Sequence, residues 1–297
     1  MSAIDRRALL GAVAGAAVAS AAHAEEAQLT PPADRRARAF VTVAPYRYDD
    51  VLWENDRVAH RIYGRALETH EPPSGSGIDA WGKKVRWPFM ERQLHIGDQH
   101  ADHGEGVDFY NVGTGRGCGG LGVWYDNKLW TSRNYRAARI LQNGPDAARF
   151  EVDYAPWPVD VVRTISETRR FELAVGSSFT RLTSTLSSNT SEPLLVGVGL
   201  SKKPNNYGAA QLTADRAQGA FSAWGAEDPH YGNIGTALLV DPRQIADVKE
   251  DADNYVVLLN VTPGQSFSYR IGACWDRGLD FHTRAEWDTH VLGEGSR

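Results

Sequence analysis

Alternation of apolar and polar side chains is the feature that most restricts how this chain can fold. Phe150-x-Val152-x-Tyr154, Phe171-x-Leu173-x-Val175, Tyr255-x-Val257-x-Leu259-x-Val261 and Phe267-x-Tyr269-x-Ile271-x-Ala273 all repeat with period two. Successive side chains of a strand point to opposite faces, so each run reads as a strand with one face buried. Turn-forming clusters separate them: Asn143-Gly144-Pro145, Ser187-Ser188-Asn189-Thr190-Ser191, Lys203-Pro204-Asn205-Asn206 and Thr262-Pro263-Gly264. Pro263-Gly264, between two alternating runs, predicts a hairpin. Residues 194–200, Leu-Leu-Val-Gly-Val-Gly-Leu, are apolar throughout, which is the signature of a strand covered on both faces. Two layers of sheet satisfy both patterns, and the expected fold is all-β, a mostly antiparallel β-sandwich. Helix signals are few. Thr283-Arg-Ala-Glu286 is a capping box that predicts a short C-terminal helix, with Trp287 and Val291 on one face and Gly293 as its stop.

The N-terminus reads as an address, not as part of the fold. Arg6-Arg7 precede a weakly apolar Ala/Gly-rich run, and Ala22-His23-Ala24 is a small-x-small cleavage site. The paired arginines fit a twin-arginine signal, although Asp5 stands where Ser or Thr is usual. Residues 1–24 are therefore expected to be an export signal, 25–44 a linker and first strand, and 45–297 a single β-sandwich domain in a periplasmic or secreted protein. The run from Leu9 to Ala22 is too short to span a bilayer unaided. No membrane association is expected after signal cleavage.

Composition narrows the chemistry. With 42% apolar, 23% charged and 10% aromatic residues the chain is neither disordered nor fibrous. Its formal charge of −5 gives no general attraction to nucleic acid or anionic lipid. The charge is uneven, however: residues 81–139 hold nine Lys/Arg against six Asp/Glu. The same segment carries Trp81, Trp87, Trp124 and Trp130 and the imidazoles of His95, His100 and His103. Cations, indoles and imidazoles together suit a site for an acidic sugar, or else a solvated basic face over core tryptophans.

Residues 95–110 are the densest run of reactive side chains, with His95, Asp98, His100, Asp102, His103, Glu105, Asp108 and Tyr110. Nine glycines between Gly97 and Gly122 permit positive φ and close approach of backbone to a ligand. If the stretch is extended, His103 and Glu105 share a side, and His100, His103 and Glu105 become a possible divalent-metal set. No cofactor is otherwise implied, and a loop whose imidazoles bind its own backbone is the competing reading. Near the N-terminus, in Tyr46-x-Tyr48-Asp49-Asp50-Val-Leu-Trp53-Glu54-Asn55-Asp56-Arg57, we expect Trp53 to be buried and Arg57 to pair with a carboxylate, while Glu54 or Asp56 could instead reach a pocket mouth. In Trp130-Thr-Ser-Arg133-Asn134-Tyr135-Arg136, Arg133 is a candidate carboxylate clamp and Tyr135 a candidate proton donor. Cys118 and Cys274 are the only cysteines. They either pair, closing a long loop worth roughly 4–5 kcal/mol in an oxidising compartment, or are small buried residues that never meet.

Four phrases resemble domain-of-unknown-function family 4861: residues 48–59 (YDDVLWENDRVA), 75–81 (GSGIDAW), 102–110 (DHGEGVDFY) and 116–120 (RGCGG). The likeness spans nearly the whole chain after the leader. It implies an exported protein from a polysaccharide-degradation context, in particular one handling uronic-acid glycans. The Asn189-Thr190 turn leading into residues 194–200 is also similar to the galactose-mutarotase-like supersandwich of several sugar enzymes. From these readings we expect a carbohydrate-active, lyase-like enzyme that acts on an acidic oligosaccharide by β-elimination. His100 or His103 would be the base, oriented by Glu105, and Tyr110 or Tyr135 the acid. Arg116 and Arg133 would clamp the substrate carboxylate, with Lys84 adding charge and Trp81, Trp87, Trp124 or Trp130 offering an apolar face to a sugar ring. A hydrolase using Glu105 and Asp108 as a carboxylate pair, and a non-catalytic sugar-binding protein, are the alternatives.

Overall fold

Half-buried strands must stack to hide their apolar faces, and here they do so as two antiparallel layers. The computed structural model describes residues 30–295. The expected export signal, its paired arginines and its cleavage site lie outside the described residues. One layer is an eight-stranded sheet in the spatial order Gln211–Asp215, Ala220–Trp224, Ile234–Val240, Ser266–Trp275, Phe179–Ser188, Thr164–Ala174, Ala147–Pro158, Ala137–Asn143. A five-stranded sheet, in the order Ile245–Glu250, Asn254–Val261, Leu194–Ser201, Cys118–Tyr125, Lys128–Trp130, forms much of the other. The continuous apolar strand Leu194–Ser201 is central in it, paired on both edges. Phe150, Phe171, Leu182 and Ile271 of the larger sheet join Leu121, Val196, Val198 and Leu259 of the smaller in one buried cluster.

A four-stranded sheet, Phe40–Ala44, Asp50–Glu54, Ala59–Ile62 and Asp79–Ala80, packs beside the five-stranded one. Its Trp53, fully buried, lies 5.2 and 5.1 Å from the rings of Phe150 and Phe171 and donates to Thr180 Oγ1. Arg57 reaches Asp280, as a structural role for this segment requires. An isolated parallel bridge, Ile78–Gly117, ties this sheet to the strand Cys118–Tyr125. The C-terminal helix Arg284–Gly295 begins at the expected capping box, with Thr283 Oγ1 accepting from Glu286 N and Glu286 accepting from Thr283 N. Trp287 and Val291 pack it on Phe179, Ala220 and Leu239 of the eight-stranded sheet.

Four expectations need correction. The strands flanking Pro263-Gly264, Asn254–Val261 and Ser266–Trp275, lie in different sheets, so the turn is an arch between layers and not a hairpin. Turn chemistry reports that the chain reverses, not which strand it then pairs with. Gly293 lies within the helix and does not stop it. The glycine run serves packing more than ligand approach. A Cβ on Gly119, where φ is +92°, would fall 2.2 Å from Ile271 Cγ2 on the facing sheet, and one on Gly117, at φ +58°, 2.0 Å from the Ile78 carbonyl oxygen. Both thiols, finally, are free: Cys118 donates to the Gly272 carbonyl and burial pushes its pKa up to about 12, so the pairing considered for Cys118 and Cys274 is absent.

Candidate functional site

The four-stranded sheet carries an unusual core of charge. Arg61 and Asp79 stand opposite each other across the Ala59–Ile62 and Asp79–Ala80 pair, where opposite charges attract across strands. Arg61 Nε donates to Asp79 Oδ2 at 2.9 Å and Nη2 donates to Asp108 Oδ2 at 2.8 Å. The guanidinium also lies 5.3 Å from the Trp81 ring centre, and Trp81 Nε1 donates to Asp79 Oδ2. Asp50, accepting from Gly64 N, is 4.0 Å from Arg61 Nε. Every one of these charged groups is buried.

Three carboxyls sharing one guanidinium cannot all stay ionised cheaply away from water. Burial pushes Asp50 up to about 6 against the pull of Arg61. Burial and the neighbouring Asp108 together push Asp79 up to about 7. Asp108 is raised by burial as well, with Arg61 and His100 opposing. Burial works against the charge of Arg61, but Asp108 and Asp79 outweigh it and hold its pKa well above the ordinary value. Near neutral pH the cluster therefore keeps a carboxylic acid proton beside a permanent cation.

Above this floor opens a cleft of about 440 Å³, lined by Arg47, Arg61, Tyr63, Glu71, His100 and Asp108 among others. Such a volume suits a small-molecule site. The side chain of His100 is 70% exposed, yet its position is fixed: Nδ1 meets the Asp108 carbonyl at 2.8 Å and Tyr231 donates its hydroxyl to the His100 carbonyl at 2.6 Å. A carbonyl can only accept, so Nδ1 carries the proton and Nε2 holds the lone pair. Tyr63 is raised well above its usual pKa by burial first and Asp79 second, so its phenol keeps its proton. Arg47, which also lines the cleft, pairs with Glu71 at 2.7 Å, and the buried Nη1 atoms of Arg47 and Arg61 have no hydrogen-bond partner. A general base, a phenolic acid and guanidinium donors thus share one hollow.

The structure brings together only part of the expected set. His100, Asp108 and Tyr110 line the cleft. His103 is buried in the preceding loop, bonded through Nε2 to the Asp98 carbonyl, and Glu105 accepts from Trp87 Nε1 and Arg92. Glu105 therefore orients no imidazole and does not pair with Asp108 across a cavity. His95 belongs to the helix Met90–Ile96, which alternation did not reveal. Among the described residues no three His, Cys, Asp or Glu side chains form a metal-binding group, so His100, His103 and Glu105 do not converge as ligands.

Arg116 is buried on Ser76 Oγ and the Thr114 carbonyl, and Arg133 is held by Glu68 at 2.5 Å, so neither clamps anything in the cleft. Tyr135 gives its hydroxyl to the Asp49 carbonyl, Lys84 binds Asp102, and Trp87 leans on Glu105. Trp124 and Trp130 stand on the edge hairpin of the five-stranded sheet, and Trp81 supports Arg61 from within the core. The cleft lining contains no indole. Arg61, Asp79, Asp50, Tyr63 and Arg47 were not singled out. The available signal was a charged residue enclosed by apolar neighbours, Asp79 within Ile78-Asp79-Ala80-Trp81; Arg61, between His60 and Ile62, gave a weaker one.

Comparison with known proteins adds the following. A family model described as a domain of unknown function, DUF4861, matches residues 13–294. Uncharacterized protein P7 of Formosa agariphila is 31% identical over 266 residues, which are 83% of this chain and 64% of that protein. The chain thus spans less than two thirds of the length of that relative. Among solved structures, a putative kojibiose phosphorylase from the human microbiome aligns over 89% of this chain and 37% of its own, at 7% identity and a TM-score of 0.44. A heparinase III aligns over 81% of this chain and 36% of its own, at 9% identity and a TM-score of 0.40.

Proposed function

The chain belongs to the DUF4861 family of domains of unknown function, and from its geometry we propose that it is an exported carbohydrate-active enzyme that breaks an acidic, uronic-acid-containing oligo- or polysaccharide by β-elimination. The observation that carries this reading is the buried Arg61–Asp79–Asp108 cluster lying directly under the imidazole of His100. In β-elimination the carboxylate beside the broken bond must be neutralised before the adjacent C–H can lose its proton. Arg47 and Arg61, which line the cleft, and the protonated carboxyl of the cluster supply that neutralisation. The lone pair on His100 Nε2 removes the proton, and the phenol of Tyr63 protonates the departing glycosidic oxygen. The leaving oxygen thus gains the proton Tyr63 loses, and a double bond forms in the uronate ring.

A second reading has its own support. Asp108 and Glu71 both line the cleft and would be the carboxylates of a hydrolase, in place of the Glu105 and Asp108 expected from sequence. Incubation of the full chain with pectic, alginate and glucuronan fragments separates the two. An ultraviolet-absorbing unsaturated end marks elimination, and new reducing ends without it mark hydrolysis. Running each incubation with and without chelator tests for a divalent metal. Binding without turnover would leave a sugar-binding protein in place of an enzyme. Export rests on the leader sequence and is checked by the N-terminus of the protein recovered from its native host.

A further inference from the structure

Three cavities meet around Asn111, which lines all of them. The cleft over Arg61 shares His100, Asp108 and Tyr110 with a neighbouring cavity of about 320 Å³. It shares Pro73, Val112 and Gly113 with another of about 520 Å³. Asn205 and Asn206 join these last two. The surface is therefore one branched depression, larger than a single sugar unit requires.

Its parts differ in chemistry. The smaller neighbour is aromatic, with Phe109 and Tyr231 packed at 5.6 Å and Tyr207 standing 53% exposed beside them. The larger neighbour contains no aromatic residue and presents the exposed side chains of Thr114, Lys203, Asn206 and Asp253, hydrogen-bonding groups of both charges. Tyr207 is not on a loose loop: Asn205 is buried, donates to the Ala226 carbonyl and accepts from Tyr207 N. Sugar rings offer exactly two kinds of surface to such walls, an apolar face of C–H bonds that lies on an aromatic ring and a rim of hydroxyls and carboxylates that takes hydrogen bonds.

We propose that this depression is a groove for several linked sugar units, with one unit stacked on Tyr207, one reacting over Arg61 and one held by Asn206 and Lys203. The inference rests on the carbohydrate reading above and adds to it the length of the substrate and a stacking residue that is a tyrosine, where sequence pointed to tryptophans. Affinity is measured by calorimetry for size-fractionated pectic, alginate and glucuronan fragments of two to six units, alongside turnover. For at least one of these glycans, affinity rises at least tenfold from two units to four or more. In Tyr207→Ala and in Asn206→Ala that gain falls below threefold, while Tyr207→Phe, which keeps the ring, retains it; thermal midpoints confirm that each variant is folded. Equal affinity for two-unit and six-unit fragments, with turnover present, overturns the groove and leaves the enzyme. Neither binding nor turnover at any length overturns both.

Discussion

Replacing Arg61 by Met removes the guanidinium bonded to both Asp79 and Asp108 while keeping most of the side-chain volume. Two hydrogen bonds, at 2.9 and 2.8 Å, and an ion-pair contact at 2.7 Å are lost with it. Stripping one partner from a buried ion pair costs about 3–5 kcal/mol when the charges left behind stay ionised. The carboxyls can escape part of this by holding protons, which makes the cost depend on pH. In the native protein Asp50 and Asp79 already titrate near 6 and 7. A carboxyl raised in the folded state keeps a proton that the unfolded chain has released, so stability is fullest below the unfolded value and falls as pH rises through the folded one. Each such proton contributes a slope of about 1.4 kcal/mol per pH unit. Without Arg61 the carboxyls are raised further, so the variant declines more steeply than the native chain between pH 6 and 8. Urea unfolding at pH 5, 6, 7 and 8, followed by tryptophan fluorescence, should show a deficit that is smallest at pH 5 and approaches about 3–5 kcal/mol at pH 8. A deficit that is constant across this range, or that shrinks as pH rises, would refute the argument that Arg61 holds these carboxyls in place by charge.

Other expectations follow from the same geometry. His100→Ala should lower turnover by roughly 10²–10⁴-fold with little change in thermal midpoint, because the side chain is largely exposed. His103→Ala should do the reverse, losing about 1 kcal/mol with its bond to the Asp98 carbonyl while turnover stays within a few-fold, as measured by paired kinetics and melting. Turnover should fall as pH rises through about 7, where Asp79 gives up its proton, and Asp79→Asn should flatten that limb of the pH–rate profile. Thr283→Ala should cost about 1 kcal/mol in urea unfolding through loss of the helix cap, without touching turnover.

Period two proved a sound guide to the sandwich where a strand has one buried and one more exposed face; Asn254–Val261 carries the same alternation although Val256 and Leu258 on its other face are buried too. Phe150, Val152 and Tyr154 are buried on Ala147–Pro158, and Phe267, Tyr269 and Ile271 on Ser266–Trp275. Pairing was harder to read, as the arch at Pro263-Gly264 shows, because an alternating strand fits either layer. The site was legible where reactive residues cluster in sequence and hidden where they cluster only in space. His100, Asp108 and Tyr110 lie within a short stretch, whereas Arg61 and Asp79 come together through strand register. His103 and Glu105 misled because sequence density does not fix direction: one imidazole turns back to its own loop and one carboxylate turns to Trp87 and Arg92.

The division of labour between sheets has a consequence for how this protein fails when heated. Arg61, Asp79 and Tyr63 belong to the first third of the chain, on or beside a small sheet, while most paired strands of the sandwich come from residues 118–275. The grip between these two units runs through Trp53 against Phe150 and Phe171 and the Ile78–Gly117 bridge, and on the proposed function it is expected to set the temperature at which turnover is lost. Inactivation should then run ahead of the collapse of bulk β-structure, and mutations that only toughen the sandwich would raise its melting point without extending its working life.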